Sequence, residues 1–375
     1  MQTPILTSLE QVSALAEELA KETSIAVDLE ADSLHNYQEK VCLIQVSTPE
    51  KTVLIDPLAV EDLSPLAPVL ADAKIRKIFH AADYDLRSLR RDFNLEINGL
   101  FDTMICAQFL GEARIGLADL LRKNFSIDLD KKYQKADWSL RPLPAEMVAY
   151  AAADTRYLHQ LVEILEKKLE QLDRISWVEE ECRILEKVRF DESGGPICLR
   201  LKGAGTLDRR ELGILEQLMQ WREKEGRRRN HPVYKVIGNK PLLALALRAP
   251  RSPGNLRGIE GLSPRLIERF GGVLLQAVKT GLALPESELP KFERRRRPEK
   301  DPAAEARMKR LKLWRQEKAA KLGLDPGVLI NNTMLEILSR ETPQSLAECS
   351  ELEGMKQWQC REFGDELLPY LNLNP

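Results

Sequence analysis

An α/β domain with a mixed sheet flanked by helices, followed by two copies of a small all-α domain, is the architecture the sequence predicts. Three observations point to it. Short β-branched and apolar runs alternate with helical stretches over residues 1–170. The composition breaks into a glycine-containing, loop-rich joint at residues 190–207. Beyond the joint, the chain repeats itself at a fixed offset of 93 residues. A length of 375 residues fits two or three domains of roughly 100–200 residues each.

The strand signals are Ser24–Glu30, Val41–Ser47, Thr52–Ile55 and Lys77–Phe79, short runs rich in β-branched and apolar side chains. The intervals 31–40 and 48–51 are too short for helical crossovers, so the first three strands are expected to be antiparallel neighbours. Helical patterns follow around 61–71, 84–92, 102–110, 116–123 and 144–172, which completes a mixed layer architecture. After the joint, Asp208 with Glu211 three residues later has the form of an N-cap pair that opens a helix.

The repeat shows when the chain is slid against itself. Leu218, Trp221 and Arg222 meet Leu311, Trp314 and Arg315. At the same offset Asn239 meets Asn332, Leu242 meets Leu335, Glu260-Gly261 meets Glu353-Gly354 and Phe270-Gly271 meets Phe363-Gly364. Recurrence of both tryptophans at equivalent helical positions favours core packing over base stacking. The expected boundaries are 1–175 for the α/β domain, 176–207 for a connecting segment and 208–288 for the first helical unit. A linker over 289–302 then leads to a second, more divergent unit over 303–375.

The charge is unevenly distributed. Residues 1–190 hold 23 basic and 33 acidic side chains, whereas residues 208–297 hold 20 basic and 10 acidic. The basic segment includes Arg227-Arg228-Arg229 and Arg294-Arg295-Arg296-Arg297, and a localised positive patch suits a polyanion as partner. A solvated arginine-rich surface is the plainer reading of such a run. The six cysteines and four histidines show no C-x-x-C or H-x-x-x-H spacing, which argues against a zinc site or a disulfide framework. Any metal is therefore expected to be held by oxygen. No apolar run approaches the ~18 residues of a membrane span, and the first residues lack a basic flank and apolar stretch, so the expectation is a soluble cytoplasmic chain without a membrane partner.

Three short segments carry the candidate chemistry. Along Ile25–Glu30 side chains alternate, so Asp28 and Glu30 share one face; alone, this pair reads equally as a solvated strand edge. Lys77–Leu86 is a strand running into a helix, with His80 and Asp85 just beyond the strand. Tyr150 and Asp154 lie one helical turn apart, and the three alanines between them allow that helix to pack closely on a neighbour.

Taken together, Asp28, Glu30, Asp85 and Asp154, with Tyr150 four residues before the last, resemble the DEDD 3′–5′ exonucleases of the tyrosine subclass, and within them the bacterial ribonuclease D family. The motifs Val27–Glu30, Leu43–Ser47, Phe79–Ala81 with Asp85-Leu86, Phe101–Thr103 and Asp137–Leu143 carry the resemblance. The repeated helical units resemble HRDC domains, which are nucleic-acid-binding modules.

The resemblance implies a ribonuclease H-like catalytic domain and two divalent ions, Mg²⁺ or Mn²⁺. Asp28 would bridge the ions, Glu30 and Asp154 would complete one, and Asp85 would hold the other. Tyr150 would orient the attacking water, because a phenol of pKa ~10 is a poor base at neutral pH. The implied substrate is RNA with a free 3′ end, such as a tRNA precursor, cut to nucleoside 5′-monophosphates by a monomer. Gln45 and His80 are weaker candidates for contact with the terminal nucleotide, a structural hydrogen bond being an equal reading; Trp138 and Arg141 are candidates for the entry, with packing the stronger reading of Trp138; Arg227, Arg228 and Arg229 are candidates for the RNA body. Two alternatives stand beside this reading: a 3′–5′ exodeoxyribonuclease of DNA repair, which would share every catalytic residue, and a non-catalytic RNA-binding adaptor.

Overall fold

The computed structural model describes residues 3–130, 132–190, 194–292 and 301–372. The run Arg294–Arg297 and most of the expected linker lie outside them. The described chain divides into two compact units. One combines residues of 1–31, 41–190 and 298–375; the other combines 32–40 with residues of 191–297.

The first unit is built on six strands: β1 (Ile5–Leu6), β2 (Ser24–Ala31), β3 (Val41–Ser47), β4 (Thr52–Ile55), β5 (Arg76–Phe79) and β6 (Leu100–Asp102), in the sheet order β1-β4-β3-β2-β5-β6. β2, β3 and β4 pair antiparallel, as their short connections require, whereas β5 and β6 run parallel to β2. The two outermost strands have no counterpart among the strand signals, because two or three residues are too few to show alternation. Residue 102, expected to open a helix, instead ends one of them.

The helices of the α/β region are α1 (Leu9–Leu19), α2 (Ala67–Ala71), α3 (Asp83–Phe93), α4 (Thr103–Phe109), α5 (Leu117–Phe125), α6 (Ala145–Arg156), α7 (Leu158–Gln171) and α8 (Ile175–Leu185). The helix expected over 61–71 is only its last turn, preceded by a 3₁₀ turn at Ser64–Leu66, since Pro65 and Pro68 remove donors from that stretch. The stretch 144–172 is two helices that meet at Tyr157. One sheet face, through Ile25, Val27 and Leu29, joins the main core. The opposite face, through Leu43 and Leu54, is covered by Met147, Val148 and Ala151 of α6. Ala151 and Ala152 are fully buried, so the alanine run does bring α6 close to the sheet.

The C-terminal repeat, α13 (Pro302–Leu322), α14 (Pro326–Leu329), α15 (Asn332–Glu341), α16 (Leu346–Glu351) and α17 (Gln357–Asn372), belongs to this same unit and shares its core. Its seat is α8, part of the expected connecting segment. Trp358 stacks on Trp177 at 4.6 Å between ring centroids, with Phe109 edge-on at 5.3 Å. The Glu180 carboxylate accepts the free N–H groups of Gln357 (2.6 Å) and Trp358 (2.9 Å), capping α17 from another domain. Glu181 pairs with Lys356 at 2.6 Å and accepts from Trp358 Nε1 at 2.9 Å. At the far side, a Cβ on Gly111 would fall 1.9 Å from the Gly323 carbonyl oxygen, so this backbone crossing tolerates only glycine.

The second unit holds the first repeat, α9 (Arg209–Arg229), α10 (Val233–Val236), α11 (Asn239–Arg248) and α12 (Pro264–Ala283). The Asp208–Glu211 capping box is complete. The fixed offset has a structural meaning: Arg222 Nη1 donates to the Ile237 carbonyl (3.3 Å) and Asn239 Oδ1 (2.7 Å). Arg315 donates to the Ile330 carbonyl (2.7 Å) and Asn332 Oδ1 (3.0 Å), the same stitch 93 residues on. Trp221 packs edge-on against Phe270, and Trp314 against Phe363. All six cysteines are free and buried. No helix among the described residues is long and apolar enough to cross a membrane.

Candidate active site

The parallel strands β2, β5 and β6 end on one edge of the sheet, the edge where α/β folds ordinarily place ligands. Asp28 and Glu30 stand there on the face covered by α6, directly across from Gln45 and Leu43 of β3. The pairing register shifts between Glu30 and Ala31, a bulge that ends the ladder just past the second carboxylate.

Beyond β5 the chain turns through His80, Ala81 and Ala82 into α3. Ala81 takes a left-handed backbone (φ 66°), a conformation that costs a residue with a side chain of order 1 kcal/mol or more. Asp102, fully buried at the end of β6, holds that turn. Its carboxylate accepts from Ala81 N (3.0 Å) and Ala82 N (2.8 Å), and it caps α4 through Met104 N (2.8 Å). The clamp places Asp85, buried in the first turn of α3, and it orients His80. Thr103 Oγ1 spends its proton on the Phe79 carbonyl (3.0 Å), so it accepts from His80 Nδ1–H (2.9 Å), which leaves Nε2 as the lone-pair nitrogen of a neutral ring. Burial keeps that ring below its ordinary pKa, against the pull of Asp102.

Helix α6 brings Tyr150 and Asp154. It is pinned to β3 by the buried Ser47–Thr155 hydroxyl contact (2.7 Å). The Tyr150 ring is wedged between Tyr133 (5.8 Å) and Trp138 (6.0 Å). His80, Tyr150 and Asp154 line a groove of about 350 Å³ together with Met104, Asp119 and Asp130. A larger cavity of about 720 Å³ opens at the other end of the strands, at Ser24, Arg76 and Phe101, but it contains none of the four candidate carboxylates.

The electrostatics tie the four acids together. Burial and Asp154 raise Asp28 well above the carboxylate range. Burial, then Asp28, Asp154 and Asp85, push Glu30 up to about 10. Burial and Asp28 raise Asp85, and burial lifts Asp154 to about 7. The phenol of Tyr150 is raised by burial and by the same carboxylates. Such mutual repulsion is the mark of acids that lack a positive partner. Among the described residues no three His, Cys, Asp or Glu side chains already converge as a closed metal-ligand set. The donor chemistry nevertheless fits hard divalent cations, which take carboxylate oxygens and keep several waters.

The remaining candidates are placed as follows. Gln45 is wholly buried in mid-strand. Trp138 is a packing residue, 1% exposed. The Arg141 guanidinium is bidentate to Asp56 (2.5 and 2.6 Å) and donates to the Trp138 and Cys42 carbonyls. In the second unit Arg228 and Arg229 both pair with Glu225, and Arg227 lies over the Tyr37 ring at 5.6 Å. Two of those three charges are thus partly answered within the chain. Asp102 and Thr103, the residues that position the His80 turn, carry a signal that sequence reasoning used only as a motif. An aspartate directly after a strand and before a helical run has the pattern of an N-cap.

Comparison with known proteins agrees with this geometry. Residues 4–170 match the 3′–5′ exonuclease family model, and residues 211–278 and 304–371 each match the HRDC domain. A ribonuclease D of Gluconacetobacter diazotrophicus is 30% identical over 97% of this chain and 91% of its own length. The crystal structure of Escherichia coli RNase D, described as an exoribonuclease involved in structured RNA processing, superposes with a TM-score of 0.75 at 27% identity and full coverage of both chains. The catalytic core of RRP6 from Trypanosoma brucei covers 76% of this chain and 81% of its own, at 31% identity and a TM-score of 0.64. With its catalytic and helical domains both matched and nearly its whole length covered, the chain belongs to the ribonuclease D family of 3′–5′ exoribonucleases.

Proposed function

We propose that the protein trims the 3′ ends of structured RNAs, tRNA precursors among them, in a reaction that depends on two divalent ions held by Asp28, Glu30, Asp85 and Asp154. The observation that carries this reading is the burial of four carboxylates from β2, α3 and α6, with Asp154 raising Asp28, Asp28 raising Asp85, and all three raising Glu30, beside a groove that Tyr150 and Asp154 line. Two bound ions would compensate the charge that develops on the attacking and leaving oxygens of an in-line phosphodiester displacement. Asp28, on the sheet, would hold both ions, with Glu30 and Asp154 completing one site and Asp85 the other.

Tyr150 orients the attacking water through its hydroxyl. Its ring is fixed by Tyr133 and Trp138, and its raised pKa keeps the phenol protonated, so it acts as a hydrogen-bonding group and not as a base. His80 presents its unprotonated Nε2 as an acceptor for a hydroxyl of the terminal nucleotide. Arg227, the exposed arginine that Glu225 does not engage, serves the RNA body, and phosphate contacts of that kind make binding fall with added salt. The protein works in the cytoplasm as a monomer.

The test is digestion of a 5′-labelled tRNA bearing a short 3′ extension, beside DNA of the same sequence, with Mg²⁺ or chelator and with Asp154→Asn as control. The expected result is metal-dependent shortening of the RNA from its 3′ end, weak on DNA and absent in the variant. Preferential trimming of DNA would favour the repair enzyme, and binding without trimming would favour the adaptor.

A further inference from the structure

Cys349 and Cys360 meet inside the second repeat. Their sulfurs lie 3.7 Å apart, with the Cys360 thiol donating to Cys349 Sγ. Cys349 is the one buried side chain of the six-residue helix α16, and Cys360 stands in α17, two residues beyond Trp358. The two helices are in close contact, since a Cβ on Gly364 of α17 would fall 2.2 Å from Leu346 Cδ2 of α16.

Packing alone does not require sulfur at these positions. The offset of 93 sets Cys349 on Leu256 and Cys360 on Ile267 of the first repeat. Those two side chains also meet, beside Gly271: a Cβ there would stand 3.2 Å from Leu256 Cδ1 and 3.5 Å from Ile267 Cγ2. One fold is thus built with an aliphatic pair in its first copy and a thiol pair in its second. A free buried cysteine packs as a small apolar residue, so the difference between the copies lies in reactivity.

We propose that Cys349 and Cys360 are a redox-active dithiol, a modification site at which a small-molecule disulfide is reduced and a covalent bond closes between α16 and α17. A disulfide is about 2.05 Å long, so the sulfurs must close by about 1.7 Å. A buried thiol reacts only when the structure around it opens. Helix α16 is suited to opening: Leu346, Ala347, Glu348 and Glu351 are already exposed, so lifting it uncovers little beyond Cys349 itself. In the closed fold Cys349 is the more readily ionised of the pair, because the hydrogen bond from Cys360 holds its thiol below the ordinary value and raises that of Cys360.

The Cys349 thiolate attacks one sulfur of the disulfide RSSR and expels RS⁻, leaving a mixed disulfide. As α16 closes, the Cys360 thiol gives up its proton, and its sulfur attacks Cys349 Sγ and expels the second RS⁻. In sum, two protein thiols become one disulfide, and RSSR takes up both electrons and both protons as two RSH. The bond fastens α16 to the helix that Trp358 seats on Trp177, and so crosslinks the core that the C-terminal repeat shares with the α/β domain. None of the four candidate carboxylates lies on either helix.

The test incubates the reduced full-length protein with oxidised glutathione, alkylates the remaining thiols in denaturant and maps the unreduced peptides by mass spectrometry. The expected product is a peptide pair joined through Cys349 and Cys360, lighter by two hydrogens than the reduced pair, with Cys42, Cys106, Cys182 and Cys198 recovered as alkylated thiols. The oxidised protein should melt at least about 4 °C higher, with kcat on labelled RNA unchanged. Cys349→Leu combined with Cys360→Ile, the pair of the first repeat, should fold and melt alike with and without oxidised glutathione. Should that double variant not fold, Cys349→Ala serves the same comparison. Two free thiols after incubation, glutathione retained on either cysteine without closure, or a bond to a different cysteine would each overturn the proposal. So would a bond that lowers the melting temperature, because the sulfurs would then pair only by deforming the fold.

Discussion

Replacing Asp154 with asparagine should abolish hydrolysis and yet stabilise the protein in chelator, by an amount that depends on pH. Burial lifts the Asp154 carboxyl from 3.8 to about 7 in the folded state. Below the unfolded pKa the group is neutral in both states and contributes no difference. As pH rises from about 4 to 7 the unfolded chain ionises while the folded one resists, so the wild type loses stability relative to the asparagine variant. Three tenfold steps in proton affinity, at about 1.4 kcal/mol each, set a ceiling of about 4 kcal/mol. If half of that survives relaxation of the neighbouring acids and the loss of carboxylate contacts, about 2 kcal/mol remains, or a rise of about 4 °C in Tm. The assay is thermal melting of both proteins in chelator at pH 4, 6 and 8. The curves should coincide at pH 4 and separate progressively, the variant higher. Saturating Mg²⁺ should reverse the order, since an ion at 100 times its Kd stabilises the wild type by about 2.7 kcal/mol. A variant that melts below the wild type in chelator at pH 8 would refute the claim that burial disfavours the ionised Asp154 carboxylate in the folded protein.

Tyr150→Phe should lower kcat about 100-fold with little change in melting, because the ring keeps its contacts with Tyr133 and Trp138. With the phenol held above its ordinary value of 10.0, no limb of the pH–rate curve below that pH belongs to it, and a neutral limb that vanishes in the variant would contradict the orienting role. Asp102→Ala leaves Ala81 N, Ala82 N and Met104 N without their acceptor; urea denaturation should show a loss of about 3 kcal/mol, accompanied by loss of activity as the turn carrying His80 and Asp85 relaxes. Trp358→Ala, more than fifty residues beyond the described start of the second repeat, should destabilise the catalytic domain by about 3–5 kcal/mol, seen as a lower Tm of the transition at which activity is lost. A shift confined to a separate, minor transition would count against a shared core.

The parts of the catalytic site that are legible in the sequence are those whose spacing matches a regular period. Asp28 and Glu30 share a face because strands alternate, and Tyr150 and Asp154 because four residues make a helical turn. The repeat is legible for a comparable reason: Arg222 and Asn239 are kept at the same spacing as Arg315 and Asn332 by a hydrogen bond that both copies make. What escaped is non-local. The bidentate grip of Arg141 on Asp56 joins residues 85 positions apart, and nothing in the local pattern around either of them announces it. The buried state of Gln45 depends on α6 being laid over β3, and the clamp of Asp102 on the His80 turn depends on β6, a three-residue strand without a pattern of its own.

The cap that Glu180 places on α17 bears on how the protein comes into being. Trp358 bonds to Glu181, which precedes it by 177 residues, so Trp177 of α8 lacks its stacking partner until α17 has been made. At 5–20 residues per second of synthesis, that is a wait of roughly 10–40 s during which Trp177 is uncovered. A nascent catalytic domain is in this sense unfinished until α17 has been made. A message cut short before the codons of α17 would yield a chain with every candidate carboxylate but with Trp177 lacking its stacking partner, an apolar surface of the kind by which chaperones and proteases distinguish incomplete chains from complete ones.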